Sequence, residues 1–265
     1  MEFTHRILGS TGLQVGPLGI TSSYGAPAEA FEEAFERGCN YFVWNSFMKG
    51  RSKAMLQAMR NIISAGKRDQ LVVAVHSYGH NPLLNQHYVK QSLKKLGTDH
   101  IDVMLLGYYS WRPAEGVLNN ARKLKKMGLV RHIGMTGHNR KFIAELIQEG
   151  LLDVYHTRYN AVHTGAEKDI FPFIPKENKP GIVSYTATSW RQLLDPKKMP
   201  EGESPLEASD CYRFALSNPH VDVCLTGPKT REQLRENLET LELGPLNEEE
   251  MKRVRAIGAY IYKNK

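Results

Sequence analysis

The chain has 265 residues, 41% of them hydrophobic and 24% charged, enough to bury a full core. Its net charge of +7 is spread over short runs such as Lys94-Lys95, Lys123-Lys125-Lys126 and Lys197-Lys198, with no long basic tract to track a nucleic acid. No apolar run nears the roughly 18–20 residues of a membrane span, so the expected partner is a small molecule, with no nucleic acid and no membrane.

In chain order, the opening MEFTHRILGS has no apolar stretch of the signal-peptide kind. Cys39, Cys211 and Cys224 show neither C-x-x-C nor zinc spacing, which predicts a cytoplasmic protein with reduced thiols and no metal. Arg6–Leu8 and Leu13–Val15 flank Gly9-Ser10-Thr11-Gly12 as a β-hairpin. β-rich runs then recur at Val15–Ile20, Tyr41–Val43, Leu71–Val75, Ile101–Leu106, His132–Met135, Val154–Thr157, Gly181–Tyr185 and Val221–Leu225. Amphipathic helical stretches separate them, among them Ala28–Arg37, Ser52–Ser64, Asn85–Leu96, Ala114–Met127, Arg140–Glu149 and Arg231–Leu243. The helical pattern is weakest over Ala161–Lys179, where Phe171-Pro172 and Ile174-Pro175 interrupt it. Asn247–Tyr262 reads as an extra C-terminal helix with Asn247 as its cap.

Apolar strands alternating with helices imply parallel βαβ units buried on both faces. Eight of them in this length predict one α/β domain over residues 1–265, a (β/α)8 TIM barrel rather than an open doubly wound sheet. The active site of such a barrel lies at the C-terminal ends of its strands. Those ends carry polar and aromatic residues, including His76, Tyr78, Tyr108, His138 and His156, and no carboxylate. That composition argues against a paired-acid glycosidase or a magnesium site. Pro196–Pro205, the longest irregular stretch, follows the seventh strand and is placed over the mouth.

After the eighth strand, Thr230 with Gln233 forms a capping-box pattern at the start of a helix. Its free N–H groups favour an anion, and Lys229 and Arg231 stand beside them. Gln233 and Asn237, four apart, share a face that can grip a flat polar ring. Neither G-x-G-x-x-G nor G-x-x-x-x-G-K-[ST] occurs, so a Rossmann site or a P-loop is not supported.

With the hairpin Arg6–Val15, Gly38–Phe42, Ile101–Leu106, Val130–Thr136, Tyr159-Asn160 and the closing Gly227…Gln233…Asn237, the chain resembles the aldo/keto reductase family over nearly its whole length. The resemblance implies a (β/α)8 fold and NADP(H) as cofactor. It implies that Tyr185 stacks on the nicotinamide and that Thr186 and Thr188–Arg191 wrap the diphosphate. Lys229 and Arg231 would meet the 2′-phosphate beside Gly227, and Gln233 and Asn237 the adenine. Thr136 falls at a family serine near the carboxamide; Gly137 replaces an asparagine there, and His156 a glutamine.

The family's catalytic Asp, Tyr, Lys and His are all replaced. The first two positions fall on Val43 and Met48, or on Trp44 and Lys49 in the other register; the last two fall on His76 and Gly107. Two outcomes stay open. In the first, the chain is an NADP(H)-dependent oxidoreductase with an atypical site, using His76, whose ring titrates near neutrality, or Tyr108 to move the proton. In the second, it is an inactive nucleotide-binding sensor or scaffold, or a barrel for another phosphorylated ligand. His138 and His163 read as solvent-facing, Met48 as packing. Trp44, Phe47, Tyr78, Tyr108, Tyr109 and Trp111 suggest a mouth suited to a planar or apolar substrate.

Overall fold

The computed structural model describes residues 3–45 and 52–264. β1 (Arg6–Ile7) and β2 (Gln14–Val15) pair antiparallel across the glycine-rich turn. The barrel then runs β3 (Leu18–Thr21), α1 (Ala28–Glu36), β4 (Tyr41–Trp44), α2 (Lys53–Ser64), β5 (Val72–Ser77), α3 (Pro82–Leu96), β6 (Ile101–Leu106) and α4 (Glu115–Lys126). It continues with β7 (Val130–Thr136), α5 (Arg140–Gln148), β8 (Val154–Arg158), α6 (Ala166–Asp169), β9 (Gly181–Tyr185), α7 (Ala208–Leu216) and β10 (Val223–Thr226). α8 (Arg231–Leu243) and α9 (Glu248–Lys263) end the chain. β3 to β10 close into one parallel barrel in sequence order, with β10 hydrogen-bonded to β3.

Strand alternation makes two cores. Inward-facing Val72, Val103, Val154, Val183 and Val223 fill the barrel, while Phe31, Phe42, Met59 and Phe214 lie in the shell between strands and helices. The hairpin plugs the bottom: Leu8 is fully buried, and Gly9 donates to the Asp222 carboxylate at 3.2 Å. Gly9 has φ +53°, and a Cβ there would come within 2.2 Å of the Gly181 nitrogen, so only glycine fits.

Residues 161–179 form just a short helix, Ala166–Asp169, and one 3₁₀ turn around Pro172, as the prolines require. α7 is buried nearly all round, from Ser209 to Leu216. No described helix is long and apolar enough to cross a membrane.

Candidate active site

A cleft of about 700 Å³ opens over the C-terminal ends of the strands. It has two unlike ends.

The outer end is built by the segments after β9 and β10. Thr230 caps α8, its hydroxyl accepting from the Gln233 amide at 3.2 Å, and the Gln233 side chain accepts from the Lys229 amide at 3.0 Å. Asn237 is nearly buried and donates to the Thr226 hydroxyl at 2.7 Å, which fixes it at the cleft wall. Facing these residues, Thr186, Ser189, Trp190 and Arg191 all take left-handed φ values of 50–69°. Such non-glycine conformations cost about 1–3 kcal/mol each and persist where the surroundings enforce them. Here the buried Asn160 clamps the loop by donating to the Thr186 carbonyl at 2.7 Å. Within the loop the Ser189 amide donates to the Thr186 carbonyl at 2.9 Å and the Arg191 amide to the Thr188 hydroxyl at 3.3 Å. The Ser189 hydroxyl is buried in that loop without a hydrogen-bond partner.

Of the two cations expected at the α8 start, the structure brings only Lys229 to the cleft. Arg231 is turned away to α1, where it shares Glu33 with Arg235. Those two guanidinium groups, Arg235 foremost, hold Glu33 well below the usual carboxylate range. Position N1 of α8 points toward α1 rather than the cleft, which spacing along one helix does not reveal. The outer end also gains two carboxylates, Glu207 and Glu236, where the strand ends carry none. They come from a helix N-cap and a helix interior, positions outside a survey of strand ends. Tyr24 was missed as well: its ring lies against Gly227, where a Cβ would come within 2.3 Å of it.

The inner end is aromatic and uncharged among the described residues. Val43 lines it with His76, Tyr78, Tyr108, Thr136, His138, His156 and Tyr185. Tyr185 donates to the Gly137 carbonyl at 3.0 Å and lies 3.0 Å from His138 Nδ1. His138 is therefore exposed into the cleft as part of its wall, not idle in solvent. His163 is likewise no free surface residue, since its ring meets Trp190 and Tyr262 edge-on. Tyr108 stacks on Tyr78, centroids 5.5 Å apart at 14°, and reaches across to His138 at 6.2 Å. His156 forms the floor, almost fully buried, with Nε2 2.9 Å from the Tyr41 hydroxyl inside the barrel.

Burial sets the protonation of this end. It lowers His76 to about 4 and His156 well below the ordinary histidine range, with His76 adding repulsion to the latter. Burial also lifts Tyr78, helped by Tyr108, and pushes Tyr185 up to about 12 against the pull of Arg158. The expectation that the His76 ring titrates near neutrality is thus corrected: its surroundings keep it neutral, and Nε2 is buried without a partner. Phe47, Met48 and Lys49 lie outside the described residues. Among the described residues, no group of three His, Cys, Asp or Glu side chains is arranged to hold a metal.

A model of the aldo/keto reductase family matches residues 18–203. The uncharacterized oxidoreductase YrpG of Bacillus subtilis (strain 168) is 24% identical over 92% of this chain and 92% of its own length. The NADH-specific methylglyoxal reductase of Escherichia coli (strain K12) is 24% identical over 58% of each. The holo form of aldo-keto reductase AKR11C1 from Bacillus halodurans superposes with a TM-score of 0.80, covering 96% of both chains at 19% identity.

Proposed function

The chain belongs to the aldo/keto reductase family of oxidoreductases, and from that premise we propose that it is an NADP(H)-dependent oxidoreductase of small, planar carbonyl compounds with an altered proton-transfer site. The observation that carries this reading is one continuous cleft joining a capped, Lys229-flanked helix start to an aromatic inner end floored by the buried His156. When bound, the nicotinamide supplies the two-electron reducing chemistry.

The residues present fit the cofactor. The cleft-lining Thr186, Thr188 and Arg191, polar and cationic, suit a diphosphate. Lys229 suits a 2′-phosphate, and Gln233, Glu236 and Asn237 a polar adenine edge. Tyr185, held by Gly137 and His138, offers a fixed ring for the nicotinamide, with Thr136 beside it. At the inner end a neutral His76 positions an oxygen by hydrogen bonding rather than by carrying charge, with the Tyr108 ring beside it in the aromatic wall. The free, buried Cys39, Cys211 and Cys224 support a reducing, cytoplasmic setting.

NADPH consumption by the full-length protein over a panel of aryl aldehydes, ketones and dicarbonyls tests the proposal. Steady oxidation that depends on the carbonyl is expected. Tight NADPH binding without turnover on any panel member would favour a nucleotide-binding sensor instead.

A further inference from the structure

Resting on that reading of the cleft, we propose that Arg158 is the anion-binding residue of the barrel mouth and that it holds a carboxylate of the substrate, so that the substrates are carbonyl compounds that also carry a carboxylate. β8 alternates along its length. Val154 faces the barrel core, His156 floors the cleft, and Arg158, two residues further on, rises on the same inward side at the mouth. At about 3.3 Å per residue it stands roughly 6–7 Å above His156. Its register partner on β9 is Tyr185, so the two side chains share one level of the barrel.

Three rings that line the cleft neighbour the guanidinium. Its Cζ lies 5.7 Å from the centroid of the Trp190 ring, within cation–π range. Trp190 is itself held at φ +54° in the strained loop after β9. The Arg158 charge also reaches His138 and Tyr185, which lie 3.0 Å apart. Burial lowers His138 and Arg158 lowers it further, while burial lifts Tyr185 against the pull of Arg158.

The half-buried Arg158 has no anion of its own. Arg140, Arg213 and Arg255 each hold a carboxylate, on Asp169, Glu250 and Glu167. Among the described residues no carboxylate pairs with Arg158 and no acceptor takes its hydrogen bonds. The segment 46–51, outside those residues, contains no Asp or Glu. A guanidinium is a planar fork of five N–H donors that meets the two oxygens of a carboxylate in parallel. On the reading above, Arg191 and Lys229 serve the phosphates of the cofactor, which leaves Arg158 for another anion. It rises beside Tyr185 and His138 of the inner end, where the carbonyl is received, whereas Arg191 belongs to the outer loop. One guanidinium balances one negative charge, which suits a carboxylate better than a phosphate monoester carrying nearly two.

The test uses the full-length protein, NADPH, and two probes of one skeleton, para-formylbenzoate and its methyl ester. The carboxylate is expected to show a kcat/KM about 30-fold or more above the ester, mostly through KM, as one charge-assisted pair allows. Arg158→Gln should bring that ratio to within about threefold of unity. Arg158→Lys, which keeps the charge and loses the fork, should give an intermediate ratio, an outcome that a packing role would not produce. As a readout independent of turnover, calorimetric binding of para-formylbenzoate to the NADP⁺-loaded protein should weaken about tenfold or more in Arg158→Gln, and in the wild type as salt is raised. NADPH affinity separates the two sources of anion and should stay within about twofold in Arg158→Gln. A loss of about tenfold or more there would place the cofactor's phosphates on Arg158 and overturn the proposal. Equal handling of the two probes by the wild type overturns it too, as does carboxylate binding that survives Arg158→Gln; in both cases the proposed function stands. Failure of the wild-type protein to bind NADPH overturns the reading of the cleft and this inference with it.

Discussion

The two ends of the cleft are built by different rules. The outer end is polar, carries Lys229, Glu207 and Glu236, and takes its shape from strained backbone and helix caps. Among the described residues the inner end is an aromatic box without a charged side chain, where burial lowers His76 and His156 and raises Tyr78. An end that grips a charged nucleotide gains from ionic groups, each charge-assisted hydrogen bond contributing about 1.5–3 kcal/mol. The other must deliver a proton in a dry place, where an unpaired charge is costly.

Four changes press on this contrast, taken from the largest expected effect down. Gly107→Val forces the stacked Tyr78 ring out of the inner wall and, by misplacing what binds there, should cut kcat by about 100-fold, with NADPH affinity nearly unchanged, in stopped-flow and titration experiments. Lys229→Ala should weaken NADPH by about 10–100-fold and leave NADH within about twofold, measured by fluorescence quenching. A comparable loss for both nucleotides would mean that Lys229 does not meet the 2′-phosphate.

The third change concerns acid. Burial depresses the folded pKa of His76 to about 4, so between there and the unfolded value near 6.5 the unfolded chain binds more protons. Stability is therefore full above about pH 6.5 and is lost as pH falls toward 4, by about 1–3 kcal/mol for this residue. His156 acts in the same direction. His76→Gln should flatten the fall in Tm between pH 7 and pH 5; an unchanged slope would place the acid sensitivity elsewhere. The smallest effect is expected from Arg231→Ala, under about 0.5 kcal/mol in NADPH binding, because that side chain is turned to Glu33 on α1, which it shares with Arg235, away from the cleft.

What the sequence disclosed follows the same division. The barrel was legible because each strand and helix advertises itself locally; Ile101–Leu106, Gly181–Tyr185 and Arg231–Leu243 stand where their periodicity put them. The outer end was legible too where its residues are contiguous, from Gly227 to Asn237. Arg231 misled because its helix face is set by packing on α1, a relation between distant segments. The neutrality of His76 was hidden for a similar reason, since desolvation comes from residues on other strands. Nor does any local pattern announce that Gly107 makes room for Tyr78, because that pairing joins the ends of β5 and β6.

Equilibrium titration of the full-length protein with NADPH and, in parallel, NADH tests the central claim most directly. The account predicts saturable one-to-one binding of both, with NADPH about tenfold or more the tighter through Lys229. Saturation by neither nucleotide would contradict the assignment of the cleft and the function built on it.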